Sequence, residues 1–225
     1  WIDDHVKRAK DNGFTAFCLT VDSASYSRRE RDLLIRFVKP WRPLDSSGMT
    51  FQAALSWDHV KRFKDNHDMP LILKGIATAE DAELAVAHGV EVVYVSNHGG
   101  RQLDHGLGSA AVLPEVVAAV KGRAEVWVDG GFMRGSDVVK AIALGARTVG
   151  LGRLACLGLA AAGVPGLVRT LELLEEEVRI CLGLLGVTSF AQITPKHLTA
   201  AAPVMEAGAL SAFPLLDVLP GPSLP

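Results

Sequence analysis

Val92-Val93-Tyr94-Val95-Ser96-Asn97-His98-Gly99-Gly100-Arg101-Gln102-Leu103-Asp104 is the stretch on which the reading of this chain turns. Four apolar, β-favouring residues make a short buried strand, and the polar block starts where that strand ends. Gly99 and Gly100 give the turn a backbone freedom closed to other residues. The strand end therefore brings His98 and Arg101 to one spot, a proton acceptor beside a planar guanidinium fork. That pairing suits the deprotonation of a small molecule bearing a carboxylate.

Working outward, four further apolar or β-branched runs read as strands: Thr15–Val21, Pro70–Lys74, Glu125–Val128 and Thr148–Leu151, with the first block itself read as Glu91–Ser96. Because these runs are apolar throughout and do not alternate, they predict a parallel sheet covered on both faces. Helical patterns separate them. Thr78 and Asp81 resemble a capping box before Ala82, Ala85 and Val86, and Gly89 stops that helix. Ser136 is the expected cap of another, with Val138, Val139 and Ile142 facing inward and Gly145 ending it. A third helix is expected after Gly108, through Val120, with Pro114 in its first turn or starting it.

Alternating strands and helices predict an α/β fold with right-handed crossovers. Periodicity alone fits either a doubly wound sheet or a TIM (β/α)8 barrel. Asp22, Lys74, His98, Asp129 and Arg153 all fall at or just past strand C-termini, which favours the barrel, where those ends ring one mouth. Five strands stand where a barrel has eight, so only about the last five βα units are expected here, with some three more ahead of Trp1. The chain reads as a single domain, 1–225, incomplete at its N-terminus, with 199–225 as a C-terminal tail.

At 225 residues, 49% hydrophobic and 21% charged, the chain can bury a full core, and its net charge of −2 gives no reason to expect nucleic acid or an anionic membrane as partner. The longest uncharged apolar stretch, Leu154–Val168, is interrupted by Gly158, Gly163 and Pro165 and is too short to span a bilayer. Cys18, Cys156 and Cys181 are far apart, which disfavours a disulfide framework or a zinc site and points to a reducing, cytoplasmic compartment. The segment Asp4–Asn12 is nearly repeated at Asp58–Asn66, each ahead of a strand, as similar solvated helix faces in similar slots would be. The long connection after the first strand, with Pro40, Pro43, Ser46, Ser47 and Gly48, is expected to be a mobile surface loop over the mouth.

Several residues could carry chemistry. Gly130 and Gly131 follow Asp129, Arg134 precedes a helix, and the next strand ends in Gly152-Arg153. Glycines at two consecutive strand ends, each with an arginine and a helix N-terminus, suit a phosphate. Lys74 ends a buried strand and points into the mouth, where it could form a Schiff base or hold negative charge on a cofactor. Asp22, with Arg29 seven residues on, shares that mouth. The remaining histidines lie on polar stretches without metal-ligand spacing, so no metal is expected.

Taken together, Leu19-Thr20-Val21-Asp22 with the downstream Arg28-Arg29-Glu30, Leu73-Lys74-Gly75, the block from Ser96 to Asp104, Asp129-Gly130-Gly131 and Gly152-Arg153 resemble the FMN-dependent α-hydroxy-acid oxidases and dehydrogenases, from about Gly13 to His197. The resemblance implies FMN as cofactor and oxidation of a small L-2-hydroxy acid such as glycolate, lactate or mandelate to the 2-oxo acid. It implies His98 as the active-site base, Asp22 stabilising its protonated form, and Arg101 and Arg29 binding the substrate carboxylate. Thr20, Lys74 and Ser96 would contact the flavin, Lys74 near N1. Asp129, Gly130, Gly131 and Arg134, with Gly152 and Arg153, would hold the ribityl and phosphate groups. The chemistry belongs to the flavin and the protein positions it. Met133 departs from the family, which usually has arginine there, and a thioether cannot pair with phosphate.

The resemblance further implies an electron acceptor such as oxygen or a quinone, and a homo-oligomer when complete. For a eukaryotic source it leaves a peroxisomal location open, although no SKL-type signal ends the chain. Two alternatives stand beside this reading: a truncated, non-catalytic barrel fragment, and another phosphate-gripping barrel enzyme.

Overall fold

Five parallel strands pair in strictly sequential order, and that order decides between the two candidate architectures. A doubly wound sheet reverses direction at a switch point and scrambles its strand order. A barrel adds each strand beside the last. The computed structural model describes residues 1–23, 34–35, 53–103 and 105–200. Within them the chain runs α1 (Ile2–Asp11), β1 (Phe17–Thr20), α2 (Trp57–Asn66), β2 (Leu71–Ile76), α3 (Ala79–Ala87), β3 (Val92–Val95), α4 (Ser109–Val120), β4 (Glu125–Asp129), α5 (Gly135–Ala143), β5 (Thr148–Gly150) and α6 (Arg153–Leu184). All five expected strands form. The expected loop over the mouth and the tail beyond residue 200 lie outside the described residues.

The two faces of the sheet differ, contrary to the expectation from uniformly apolar strands. Leu19, Leu71, Leu73, Val93, Val95, Val126 and Val128 share one face and are buried in a single cluster with Ile2, Val6, Val60, Phe63, Ala82, Ala85, Leu113 and Val116 from α1 to α4. Each such aliphatic side chain contributes roughly 1.5–3 kcal/mol of transfer free energy. The other face carries Cys18, Thr20, Lys74, Tyr94, Trp127 and Thr148, of which Thr20, Lys74, Tyr94 and Trp127 align in register across β1 to β4. These residues are half-buried or exposed, because no helix packs there among the described residues and the face is the inward side of a barrel wall.

The near-repeat forms α1 and α2. In each, a lysine pairs with an aspartate four residues on (Lys7–Asp11, Lys61–Asp65), and a terminal asparagine amide donates to a carbonyl four residues back. Two helix boundaries differ from expectation. Pro114 is the sixth residue of α4, not in its first turn. Burial of Val112, Leu113, Val116 and Val120 carries the helix through, while Ala110 and Pro114 stay exposed so that water can reach the freed carbonyl. The cap of α5 is Arg134, not Ser136, because the Asp137 carboxylate accepts the backbone N–H groups of Met133 (3.2 Å) and Arg134 (3.1 Å).

By length and composition α6 could cross a membrane. It is not one rod, however. Ala162 and Gly163 leave helical dihedrals, and Gly158 and Gly166 pack so closely that a Cβ on Gly166 would lie 2.2 Å from the Gly158 carbonyl oxygen. The bend falls inside the Leu154–Val168 stretch, at the glycine and proline that interrupt it in the sequence.

Candidate active site

The C-terminal strand ends meet around a cavity of about 600 Å³, within the range of small-molecule and cofactor sites. Lys74, His98, Gly99, Arg101, Asp129, Gly130, Gly131, Met133, Gly152 and Arg153 all line it. Residues separated by up to 79 positions in the sequence thus share one concave surface, as a barrel mouth requires.

His98 adopts a left-handed backbone (φ 56°), followed by Gly99 (φ 69°) and Gly100 (φ 72°). Three successive residues in that region fold the chain sharply back, and histidine tolerates it better than most side chains do. The bend turns the imidazole toward β1, where Nδ1 lies 3.1 Å from Asp22 Oδ1. A carboxylate at Nδ1 fixes the proton there in the neutral ring and leaves Nε2 as an acceptor. Two further contacts secure this arrangement. The Gln102 amide donates to the Asp22 backbone carbonyl (2.7 Å), and the buried Ser96 hydroxyl accepts the His98 N–H (3.1 Å). Asp22 packs tightly over Gly75, where φ is 113° and a Cβ would stand 2.6 Å from Asp22 Cβ.

Lys74 occupies the floor of the cavity. Its ammonium donates to Ser96 Oγ (2.9 Å) and lies 3.1 Å from Asp129 Oδ2, so it is neither solvent-directed nor isolated. The second oxygen, Asp129 Oδ1, is buried and has no hydrogen-bond partner among the described residues, and neither has Asp22 Oδ2. A buried carboxylate oxygen left so is an acceptor awaiting a donor. Arg101 is exposed at the rim without an ion pair among the described residues, a free anion fork. Arg153 reaches from the end of β5 to donate to the Gly99 carbonyl (2.6 Å). Gly131 and Gly152 leave open space where side chains would stand.

Not every expected residue arrives here. Arg134 does not line the cavity: its guanidinium pairs with Glu177 on α6 (2.7 Å). The same Glu177 carboxylate accepts the Gly135 N–H (2.7 Å), so the start of α5 is already capped and offers an anion little. The anion-facing helix start is therefore that of α6, at Gly152 and Arg153. Thr20 lies on the inward face in register with Lys74, outside the cavity lining. Arg29 lies outside the described residues. Residues given no role from sequence also contribute: Gln102 and Gly75 hold Asp22, and Phe132, Leu154, Cys156 and Leu157 form an apolar wall near Met133. Gln102 sits inside the polar block, so its position was visible although its partner was not.

Comparison with known proteins supplies the name for this arrangement. The family model described as FMN-dependent dehydrogenase matches residues 1–200. The chain belongs to the FMN-dependent dehydrogenase family. Glycolate oxidase 1 of Zea mays is 41% identical over 234 residues, covering 95% of this chain and 62% of that protein. L-lactate oxidase of Nostoc sp. is 39% identical over 215 residues, covering 86% and 59% respectively. A crystal structure of mandelate oxidase superposes with a TM-score of 0.78 at 44% identity, covering 85% of this chain and 57% of that one. The chain thus spans about 60% of the length of the relatives it matches, and its sheet is five βα units of a TIM barrel.

The family's cofactor is FMN, and one related mandelate oxidase structure contains an FMN adduct. The residues here fit such a group. The unpartnered Asp129 Oδ1 suits a sugar-alcohol hydroxyl, Gly131 and Gly152 leave room for a backbone-hugging phosphate, and Arg153 supplies the charge.

Proposed function

We propose that the protein carrying this chain oxidises a small L-2-hydroxy acid to the 2-oxo acid with bound FMN, and that the cavity described above is its active site. The observation that carries this reading is His98 held by Asp22 at 3.1 Å in the same cavity as the exposed Arg101 guanidinium. Bound FMN would supply the two-electron acceptor; the protein's share is binding, orientation and proton handling.

In this reading Arg101 binds the substrate carboxylate through a bidentate fork, joined by Arg29. His98 Nε2, left as an acceptor by the contact at Nδ1, takes the proton that the substrate loses. Asp22 offsets the charge that then resides on the imidazolium. Lys74, whose ammonium donates to Ser96 Oγ, would supply positive charge to bound flavin, and Thr20 on the neighbouring strand would contact it. Asp129, Gly130, Gly131, Gly152 and Arg153 hold the ribityl and phosphate groups, while Arg134 serves the helix cap. Oxygen is the acceptor that the names of the related oxidases suggest. A peroxisomal or cytoplasmic location suits a protein of this kind, two Arabidopsis thaliana relatives being peroxisomal by name.

His98→Gln tests the reading. Glutamine preserves bulk and hydrogen bonding but cannot accept the proton, so hydroxy-acid oxidation should fall roughly 10²–10⁴-fold while FMN absorbance is retained. Retention of more than about a tenth of the wild-type rate would remove His98 from this role.

A further inference from the structure

The loop that carries His98 and Arg101 leaves β3 at Ser96 and returns to regular structure at Ser109, the start of α4. Packing among the described residues does little to hold it: Leu103 is 79% exposed and Leu107 67%. Its opening turn is also conformationally uphill. The Asn97 carbonyl accepts the Gly100 N–H (3.0 Å), and both residues between them have positive φ, His98 at 56° and Gly99 at 69°. Two positive φ values mark a type I′ turn, with histidine at a position that glycine, asparagine or aspartate usually takes. One side chain reaches both ends of this loop. Asn97 Oδ1 accepts the same Gly100 N–H (3.1 Å), and Asn97 Nδ2 donates to the Leu107 carbonyl ten residues on (3.2 Å). The carboxamide is backed by the turn after β4, where a Cβ on Gly130 would lie 3.4 Å from Asn97 Oδ1 and 2.9 Å from Ser109 Oγ.

We propose that Asn97 is a positioning residue: its carboxamide fastens the two ends of the loop from His98 to Leu107, and so fixes both the left-handed turn that aims His98 and the span that carries Arg101. The two ends of the amide act separately. Oδ1 gives the Gly100 N–H a second acceptor, which stabilises a turn that a histidine in the left-handed region opposes. Nδ2 ties the returning segment to the same point, so the exposed loop closes on Asn97 and loses much of its freedom. Preorganising a base and an anion-binding guanidinium together is where such a brace affects rate.

The inference rests on the proposed hydroxy-acid oxidation, and its test separates the two. The protein carrying this chain, loaded with FMN, is treated with trypsin, and cleavage between Arg101 and Gln102 is followed by peptide mass. Asn97→Ala and Asn97→Asp both lose the donor to Leu107 and should be cut there faster than wild type, whatever the protein oxidises. Equal cutting rates would overturn the inference. Turnover of a 2-hydroxy acid gives the second readout. Asn97→Ala should lower kcat on the order of 10²-fold and raise KM. Asn97→Asp keeps the shape and the acceptor for Gly100, so it should recover most of kcat while KM stays raised. A merely structural role would lower the melting temperature of both variants and leave kcat within about threefold of wild type, which overturns the proposal. Should Asn97→Ala fail to fold, the cutting rate of Asn97→Asp decides the matter alone. Wild-type protein that holds FMN yet oxidises no 2-hydroxy acid overturns the proposed function, and the trypsin comparison still shows whether Asn97 fastens the loop.

Discussion

Asp22 Oδ1 and His98 Nδ1 lie 3.1 Å apart although 76 positions separate them in the chain. One residue follows β1 and the other β3, with β2 between them, so the pair exists only because the sheet places alternate strand ends within reach. Gly75, at the end of β2, is the floor on which Asp22 rests.

Gly75→Ala should therefore damage the pair without touching either member. Its φ of 113° strains any side chain, and the new Cβ would stand 2.6 Å from Asp22 Cβ and 2.9 Å from Asp22 N. Asp22 has to move, and displacement of a catalytic pair by about an ångström costs on the order of 10²-fold in rate. Steady-state 2-hydroxy-acid oxidation at saturating FMN measures it. A rate within about threefold of wild type would show that the Asp22 contact does not govern the reaction.

Arg101→Lys keeps the charge and loses the fork. A hydrogen bond to a charged group contributes roughly 1.5–3 kcal/mol, so kcat/KM for a 2-hydroxy acid should fall about tenfold to a hundredfold. Unchanged kinetics would place the carboxylate elsewhere in the cavity.

Met133→Arg should tighten FMN. Met133 is exposed on the cavity wall, Arg134 is committed to Glu177, and Arg153 already donates to Gly99, so a phosphate bound as proposed would have an under-supplied side there. A new charge-assisted hydrogen bond should reduce the dissociation constant about tenfold in a flavin-fluorescence titration. No change would mean that Arg153 alone satisfies the phosphate.

Glu91 governs stability away from the site. Burial pushes its carboxyl up, but the Lys64 ammonium and the Leu71 N–H (2.8 Å) outweigh it and hold the group below the usual carboxylate range. A carboxyl lowered in the folded state stabilises above its unfolded value, and the benefit is lost as pH falls through the folded value. Glu91→Gln should thus lower the melting temperature at neutral pH, and the gap from wild type should close as the pH drops below about 4. A gap independent of pH would assign the effect to packing.

The sequence by itself determined the order of strands and helices and the place of the polar residues at strand ends, the block that opens with Ser96, Asn97 and His98 among them. These are local properties: apolar runs, turn glycines and caps depend on neighbours a few positions away. Tertiary structure decided what those residues touch. Arg134 and Arg153 look alike in sequence, each beside a helix start after a glycine turn, yet one is claimed by Glu177 from a helix 43 residues on and the other faces the cavity. The strands read as apolar on both sides, and only the packing of helices against one face set Leu73, Val93 and Val128 in the core and left Lys74, Tyr94 and Trp127 lining the other. Tyr94 reads as one more strand residue until Gly150, 56 positions away, proves to leave the space it fills. Contacts between distant segments follow from how the sheet curves and which side chains collide, and no window of neighbouring residues contains that information.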